Sequence, residues 1–286
     1  MCRIMNIKQS DPIIRCIPFS KDSGVGERAR IGLLVLESDQ TIEEEFRILT
    51  ALPGVSIYHA RLKNEAEVTT EMLSGMEEQL PIAARLIPSY LGIKSIGYGC
   101  TSGATIIGEN RVESILNDAH NHVPSTNPLS AAKAAFKILG VKRLGLITPY
   151  SPKITSAMQN NFNVANLPVT IVGSYFEESD INVGRIDEES IFNAVSSVGM
   201  SDSCDGVFIS CTSLRAARII EKAEKAINKP VTITPNNIAP TEASAATCPP
   251  IASITKYKTI GDKTGNKEGI IISLIAATVN RSTSFA

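Results

Sequence analysis

Ser95-Ile-Gly-Tyr-Gly-Cys-Thr-Ser-Gly-Ala104 is a short apolar run that ends in Cys-Thr-Ser, and Asp205-Gly-Val-Phe-Ile-Ser-Cys-Thr-Ser-Leu214 repeats it. In both stretches an apolar pattern typical of a helix follows the tripeptide. Such a pattern predicts a buried strand that turns into a helix. The turn places its cysteine at the carboxyl edge of a parallel sheet, where open α/β sheets bind ligands. The repeat therefore predicts one site with two thiols, Cys100 and Cys211.

Two further pairs of segments match at a similar offset along the chain. Ile31-Gly-Leu-Leu-Val-Leu36 corresponds to Leu144-Gly-Leu-Ile-Thr-Pro149, and Gly54-Val-Ser-Ile-Tyr-His59 corresponds to Pro168-Val-Thr-Ile-Val-Gly173. Three matched strands in the same order indicate an internal duplication. The predicted fold is α/β, with two similar Rossmann-like parallel-sheet domains related by a pseudo-twofold axis. The active site is expected in the cleft between them.

The expected domain organisation rests on these matches. Residues 1–29 form an N-terminal extension, 30–140 the first α/β domain and 141–234 the second. Residues 235–286 form an atypical tail, rich first in Pro, Ala, Ser and Thr and then in Lys, Gly and Thr. The tail offers no amphipathic helix of ordinary length, and we expect it to pack on one of the two domains.

Composition excludes several classes of function. Among 286 residues, 43% are hydrophobic and 20% charged, and a net charge of −1 predicts neither a nucleic-acid partner nor a membrane surface. Six cysteines without a CxxC pair and only three histidines predict neither a disulfide framework nor a metal site. The absence of an apolar leader pattern before Arg28 favours the cytoplasm.

The chemistry is expected to lie with the two repeated cysteines. A lone cysteine is usually a small buried hydrophobe, and that interpretation suits Cys2, Cys16, Cys204 and Cys248. At a strand-to-helix turn, by contrast, free backbone N–H groups and the helix dipole favour an anion, either a thiolate or a substrate carboxylate.

The hydroxyls beside both cysteines have two open interpretations. They either donate hydrogen bonds to a substrate carboxylate or cap the following helices. These residues are Thr101, Ser102, Thr212 and Ser213. A nucleotide site is disfavoured because the pattern Gly-x-Gly-x-x-x-Gly has neither the dinucleotide spacing nor a Walker lysine, and no GxSxG elbow indicates a serine hydrolase.

Several motifs together resemble the aspartate/glutamate racemase superfamily, in the branch of maleate cis-trans isomerase, arylmalonate decarboxylase and the ectoine-utilisation protein A group. They lie within residues 30–234. They are Asp39-x-Thr-x-Glu-x-Glu-Phe46, Gly97-Tyr-Gly-Cys-Thr-Ser-Gly-Ala104, Thr126-Asn-Pro-Leu-Ser-Ala-Ala132, Thr148-Pro-Tyr150 and Ser210-Cys-Thr-Ser-Leu-Arg215.

The resemblance implies roles for individual residues. Cys100 matches the cysteine that attacks the substrate double bond in the isomerases, Cys211 the one that moves a proton on the opposite face, and Tyr150 a tyrosine that holds a carboxylate. Thr126 and Asn127 match substrate-binding positions. The resemblance also implies a small carboxylate substrate, no cofactor, and a homo-oligomer, either a dimer or a tetramer.

Three departures from the family pattern bear on the substrate and on the tail. Asp39 and Asp180 stand where the isomerases carry asparagines, and we expect both to contact substrate. Two acids would repel a dicarboxylate unless they were protonated or bound to a cation. A monocarboxylate, an amino acid or a substrate bearing a cation fits better. After Pro235-Asn-Asn-Ile-Ala-Pro240 the family pattern is lost, for which a reading-frame shift is one hypothesis.

The leading hypothesis is a cofactor-independent isomerase or racemase acting through both cysteines. An arylmalonate-type decarboxylase is the alternative within enzymes, but it needs one thiol and usually has a non-thiol at the other turn. A protein that binds a carboxylate without converting it is the alternative outside enzymes, since fold alone does not assign function. Catalytic thiols are expected to react with iodoacetamide faster than free cysteine does.

Overall fold

A computed structural model describes residues 17–234, together with the backbone of two short strands, Lys256–Lys258 and Glu268–Ile270, which pair antiparallel. The predictions about the packing and origin of the tail, and residues 1–16 of the expected extension, lie outside the described residues. The structure of the remaining chain consists of two halves with the same order of elements.

The first half contains four parallel strands and five helices. The strands are β1 (Ala29–Leu36), β2 (Val55–Leu62), β3 (Ser95–Gly99) and β4 (Ser125–Thr126). The helices are α1 (Ile42–Leu49), α2 (Thr70–Arg85), α3 (Thr101–Ile107), α4 (Glu109–Ala119) and α5 (Pro128–Leu139). The sheet has the order β2-β1-β3-β4, with every pair parallel.

The second half repeats this arrangement. Its strands are β5 (Leu144–Thr148), β6 (Val169–Ser174), β7 (Gly206–Ile209) and β8 (Val231–Ile233). Its helices are α6 (Pro152–Val164), α7 (Asp180–Val183), α8 (Glu188–Gly199) and α9 (Ile220–Ile227). The order β6-β5-β7-β8, again parallel, corresponds strand for strand to the first sheet. The predicted α/β fold with two similar parallel sheets is confirmed.

The two halves share a continuous apolar core. The central strands β1, β3, β5 and β7 are almost entirely buried, as their uninterrupted apolar runs predict for parallel strands covered on both faces. Phe136 of α5 packs edge-on against Phe208 of β7, with ring centroids 6.2 Å apart. This contact joins a helix of the first half to a strand of the second. Apolar burial therefore helps to hold the two halves together.

The turns after β3 and β7 differ, although both carry Cys-Thr-Ser. After β3 the helix α3 begins at once, and Cys100 is its N-cap residue. After β7 the chain continues through turns, and α9 begins only at Ile220. The predicted helix directly after Cys211 is therefore wrong. The two turns also differ in sequence directly after Cys-Thr-Ser. The first continues with Gly103, and the second continues with Leu214-Arg-Ala-Ala-Arg.

Within residues 17–234, the helices are too short and too polar for any of them to cross a lipid bilayer.

Candidate active site

Both repeated cysteines line one narrow, buried cavity between the two halves. The polar side chains of its wall come from the carboxyl ends of strands in both sheets and from the loops beside them. They are Asn64, Cys100, Ser102, Tyr150, Asp180, Cys211 and Thr212. Apolar side chains close the rest of the wall, namely Leu36, Val68, Met72 and Leu73. The pairing of the two thiols that the repeat predicted is thus present in the structure.

Cys100 lies at the N-terminus of α3. Its sulfur accepts a hydrogen bond from the backbone N–H of Gly103, 3.2 Å away, and lies 3.5 Å from the Ser102 hydroxyl oxygen. The side chain is 3% exposed. Cys100 therefore occupies the position in which a helix end presents backbone donors to an anion.

A buried tyrosine lies behind this thiol. Tyr98, in β3, is fully buried, and its hydroxyl has no hydrogen-bond partner within the described part of the chain. A Cβ on Gly103 would stand 2.1 Å from that hydroxyl oxygen and 3.1 Å from the Cys100 sulfur. Only glycine fits between the tyrosine and the thiol, because a real Cβ does not approach an oxygen so closely.

Cys211 has weaker backbone donors. Its sulfur accepts a long 3.4 Å hydrogen bond from the Ser213 N–H, and no helix begins beside it. Its own backbone N–H donates to the Thr234 hydroxyl over 3.2 Å. The Tyr150 hydroxyl interacts with this thiol and with Ser102. Tyr150 therefore lines the cavity together with both cysteine turns.

Burial dominates the ionisation of both thiols. It raises the pKa of Cys100 to about 11, against the lowering effect of the Ser102 hydroxyl and the Gly103 N–H. Burial raises the pKa of Cys211 further, and the Asp180 carboxylate is the second cause. Burial likewise raises the pKa of Tyr150. Burial therefore disfavours the thiolate form at both turns, because desolvation outweighs the local donors.

Asp180 carries a carboxylate on the cavity wall, and both of its oxygens accept hydrogen bonds. Ser213 donates to Oδ1 over 2.7 Å, and Ser38 donates to Oδ2. The Ser38 oxygen in turn accepts from the Asn64 amide over 2.8 Å, which leaves its proton for Asp180. Asp180 is the first residue of α7 and is 5% exposed.

Asp39 lies near this wall but does not line it. Its Oδ1 accepts from the N–H groups of Thr41 and Ile42, at 2.8 and 2.9 Å, and so caps the start of α1. Its Oδ2 is buried without a partner among the described residues, and the side chain is 2% exposed. Burial raises the pKa of Asp39, and the Asp180 charge adds to that rise.

A second buried acid joins the halves beside the Cys211 turn. Glu45 of α1 accepts a 2.7 Å hydrogen bond from the Ala217 N–H, while its other oxygen lacks a partner in the described residues. Burial raises the pKa of Glu45 to about 7. Thr41, at the start of α1, also donates to the Thr212 carbonyl. Helix α1 therefore holds the irregular segment that comes after Cys211.

One short bridge between the halves passes beside the cavity. Glu67 and Ser179 form an isolated antiparallel bridge, in which the Val68 N–H donates to Glu178 and the Asp180 N–H to Ala66, each over 3.0 Å. Since Val68 and Asp180 both line the cavity, this bridge closes one side of it.

The other predicted binding residues do not line the cavity. The Thr101 hydroxyl lies 3.2 Å from that of Thr234, so it links the two sheet ends. Asn127 caps α5 by accepting from the N–H groups of Leu129 and Ser130, and Thr126 precedes it in β4. Of the hydroxyls beside the cysteines, Ser102 and Thr212 face the cavity, and Ser213 bonds Asp180.

The sequence did not single out several residues of the site. Ser38 and Asn64 are loop residues that contact Asp180, directly or through Ser38, only in the folded chain. No local sequence pattern indicates that they belong to the site. Tyr98 had a signal, because it lies two residues before Cys100 in a strand whose neighbours are small. Among the described residues no group of three or more His, Cys, Asp or Glu side chains is arranged to hold a metal ion.

Comparison with known proteins places the chain in a family. The family model for arylmalonate decarboxylase matches residues 92–246, which is more than half of the chain. A maleate isomerase of Geobacillus stearothermophilus is 23% identical over 215 residues, covering 71% of this chain and 85% of that protein.

Two solved structures have the same fold. One is a mutant of the Nocardia farcinica maleate cis-trans isomerase with a covalently bound succinylcysteine intermediate. It has a TM-score of 0.68 and 22% identity, and the match covers 73% of this chain and 89% of that chain. The other is a double mutant of arylmalonate decarboxylase in its liganded form, with a TM-score of 0.65 and 19% identity, covering 72% and 88%. The resemblance seen in the motifs is confirmed, and this chain belongs to the arylmalonate decarboxylase family.

Proposed function

We propose that this protein is a cofactor-independent isomerase that acts on a small carboxylic acid through Cys100 and Cys211. The observation that carries the proposal is the meeting of two thiols from corresponding turns at one buried cavity, which Tyr150 also lines. The maleate isomerases among the relatives, one of them with a succinylcysteine intermediate, support the same chemistry.

In the proposed reaction Cys100 first releases its proton to solvent, and the ionised sulfur then adds to one carbon of a carbon–carbon double bond. A C–S bond forms, and the π electrons move to the neighbouring carbon, which takes the proton of Cys211. Rotation about the resulting single bond comes next. Cys211 then removes the proton, the double bond re-forms in the other geometry, and the electron pair of the C–S bond leaves with Cys100.

The two thiols suit different roles in this scheme. Cys100 has the stronger donors around its sulfur, from the Gly103 N–H and the Ser102 hydroxyl, so it is the easier thiol to ionise. Cys211 keeps its proton more firmly, since burial and the Asp180 charge both raise its pKa. We therefore assign nucleophilic attack to Cys100 and proton transfer to Cys211. Tyr150, Ser102 and Thr212 are proposed to donate hydrogen bonds to the substrate carboxylate.

The remaining predicted binding residues have supporting roles in the proposal. Ser213 is proposed to orient Asp180, since its hydroxyl donates to that carboxylate. Asp39, Thr101, Thr126 and Asn127 are proposed to shape the site from behind, because each forms its contacts with the protein itself.

A panel assay in D₂O, followed by NMR, tests the function. We expect cis-trans conversion of an unsaturated acid, and mass spectrometry of a quenched reaction should find the adduct on the peptide containing Cys100. Deuterium at a stereocentre without any adduct would instead indicate a racemase. Loss of CO₂ from a malonate would indicate the decarboxylase, and binding without conversion a carboxylate-binding protein.

We further propose a homo-oligomer, a dimer or a tetramer, in the cytoplasm. Ile82 of helix α2 and Leu86, which follows the last residue of that helix, are exposed one turn apart, and such apolar surface is common at subunit contacts. Light scattering on the purified protein measures the mass, and a monomer at micromolar concentration would contradict the proposal.

A further inference from the structure

The Asp180 carboxylate is the charged group of the cavity wall. Two hydroxyls donate to it, one to each oxygen, and a carboxylate has about four acceptor positions. Asp180 lines the cavity and retains acceptor capacity beyond the two serine hydroxyls. The same wall also carries the hydroxyl groups of Ser102, Tyr150 and Thr212. Because hydroxyl groups can donate hydrogen bonds, they suit an anionic group of the ligand.

The described part of the cavity wall supplies no positive charge to balance Asp180. Within residues 17–234, the side chains that line it include no lysine, arginine or histidine. Arg61 is the nearby cation on the outer side, but it donates to the main-chain carbonyl of Asp39 and pairs with Glu43 at the surface. An unpaired buried charge is costly, so an occupant that brings a cation would be favoured.

Asp39 is a second buried carboxyl group close to Asp180. Its Oδ2 is buried and unpartnered among the described residues, burial and the Asp180 charge raise its pKa, and its own charge disfavours ionisation of Cys211. Asp180 in turn disfavours ionisation of Cys100 and of Cys211. A positive group beside Asp180 would offset these repulsions and make the nucleophilic thiolate easier to form.

We infer that the substrate is a small carboxylic acid that also carries a protonated amine, which binds to Asp180 while its carboxylate binds the hydroxyl donors of Ser102, Tyr150 and Thr212. This assignment rests on the proposed function and narrows its substrate class. A dicarboxylate would place a second negative charge against Asp180, and a monocarboxylate with a neutral end would leave Asp180 without a partner.

Three ligands with a shared carboxyethyl group test the assignment by equilibrium binding. Propionate ends in a methyl group, β-alanine in an ammonium group and succinate in a second carboxylate at pH 7.5. Calorimetric titration of the native protein should give the tightest binding for β-alanine. We expect it to bind about tenfold to a hundredfold more tightly than succinate, the range of one hydrogen-bonded charge pair. Succinate as the tightest ligand would overturn the inference.

Two Asp→Asn variants test whether Asp180 causes the preference for the ammonium ligand. Asp180→Asn keeps the shape and a hydrogen-bonding group toward Ser38 and Ser213, and it should abolish or reverse the preference for β-alanine over succinate. Asp39→Asn is the matched control, because it removes a buried negative charge that does not line the cavity, and it should retain the preference. An unchanged ligand order in a folded Asp180→Asn protein, verified by circular dichroism, would contradict the assignment.

The binding series tests the cation subsite and the turnover assay tests the isomerase, so each proposal can be contradicted without the other. A preference for β-alanine that depends on Asp180, together with an absence of turnover for every acid in the panel, would remove the proposed isomerase and leave the cation subsite. Isomerisation of maleate by a protein that prefers succinate would support the isomerase and overturn the subsite.

Discussion

The Cys100 turn and the Cys211 turn share the tripeptide Cys-Thr-Ser but differ in the residues directly after it. After Cys100 the third residue is Gly103, and α3 begins at once with its N–H aimed at the sulfur. After Cys211 the third residue is Leu214, and α9 begins only at Ile220. The first turn therefore offers helix-end donors to an anion, and the second does not.

This difference shows how a duplicated motif can be divided into two roles. Both thiols are buried to a similar degree, so desolvation acts against ionisation at each. The local set of donors separates them, and the charge of Asp39 raises the pKa of Cys211 in addition to the charge of Asp180. The same tripeptide therefore suits a nucleophile in one half and a proton donor in the other.

Replacing either cysteine by serine should give the largest effect. Cys100→Ser and Cys211→Ser are each expected to lower kcat by at least ~10³, because a hydroxyl is a weak nucleophile and acid at neutral pH. Only Cys211→Ser should still accumulate an adduct, located on Cys100 by mass spectrometry. Cys204→Ser is the control, since that buried thiol bonds the Val198 carbonyl away from the cavity. Retention of most activity by Cys211→Ser would end the two-thiol mechanism.

Gly103→Ala should destabilise the protein at the turn that carries Cys100, where the backbone packs tightly against Tyr98. The added Cβ would meet the Tyr98 hydroxyl at 2.1 Å, and relieving such an overlap costs about 1–3 kcal/mol of the free energy of unfolding. Removing that hydroxyl in the double variant Tyr98→Phe/Gly103→Ala should recover part of the loss. Chemical denaturation measures both values.

Gly75→Ala is the matched control for this substitution. Gly75 lies in α2 and has nothing within 4 Å of its added Cβ, so alanine there should be neutral or stabilising. Equal losses from the two alanine variants would show that helix propensity, and not the contact with Tyr98, determines the result.

Alkylation rates compare the two thiols directly. Because the pKa of Cys100 is raised less than that of Cys211, we expect iodoacetamide to modify Cys100 about tenfold faster at pH 8.5. The structure reverses the expectation from the sequence that these thiols react faster than free cysteine: both should react more slowly in the ligand-free protein, since burial raises both pKa values. Peptide mass spectrometry resolves the two sites in one sample, so each serves as the reference for the other. Faster modification of Cys211 would reverse the assigned roles.

The pH dependence of the unfolding free energy tests whether Glu45 stabilises the segment that follows Cys211. Glu45 bonds the Ala217 N–H, and burial raises its pKa to about 7 from an ordinary value of 4.5. The folded protein therefore retains this proton where the unfolded chain has released it. The associated stability is complete below about pH 4.5 and is lost as the pH rises to about 7.

Glu45→Gln should remove that decline. Between pH 5 and pH 8 the native protein should lose on the order of 1 kcal/mol of unfolding free energy relative to Glu45→Gln, measured by denaturant titration. Glu44→Gln on the same helix is the control, because Glu44 is exposed and pairs with Arg47. Parallel pH profiles for native protein and Glu45→Gln would mean that Glu45 does not ionise in this range.

Much of the fold was predictable because parallel strands buried on both faces are continuous apolar runs, which are easy to recognise in the sequence. The apolar runs of β1, β3, β5 and β7 lie within a residue or two of their predicted positions, and Asn127 and Gly140 bound α5 as a cap and a left-handed terminus. Parallel strands joined through helices place their carboxyl ends on one edge, so the meeting of the two cysteines was also predictable from the repeat.

The order of residues along the chain was enough to predict the α/β class, the duplication and the pairing of Cys100 with Cys211, because these depend on periodicity and on short-range order. The packing of the two halves decided that no helix begins directly after Cys211 and that both thiols are buried enough to hold their protons. It also brought Ser38 and Asn64 to Asp180. Desolvation and contacts between distant loops arise only when the halves pack together, and a linear pattern does not encode that arrangement residue by residue.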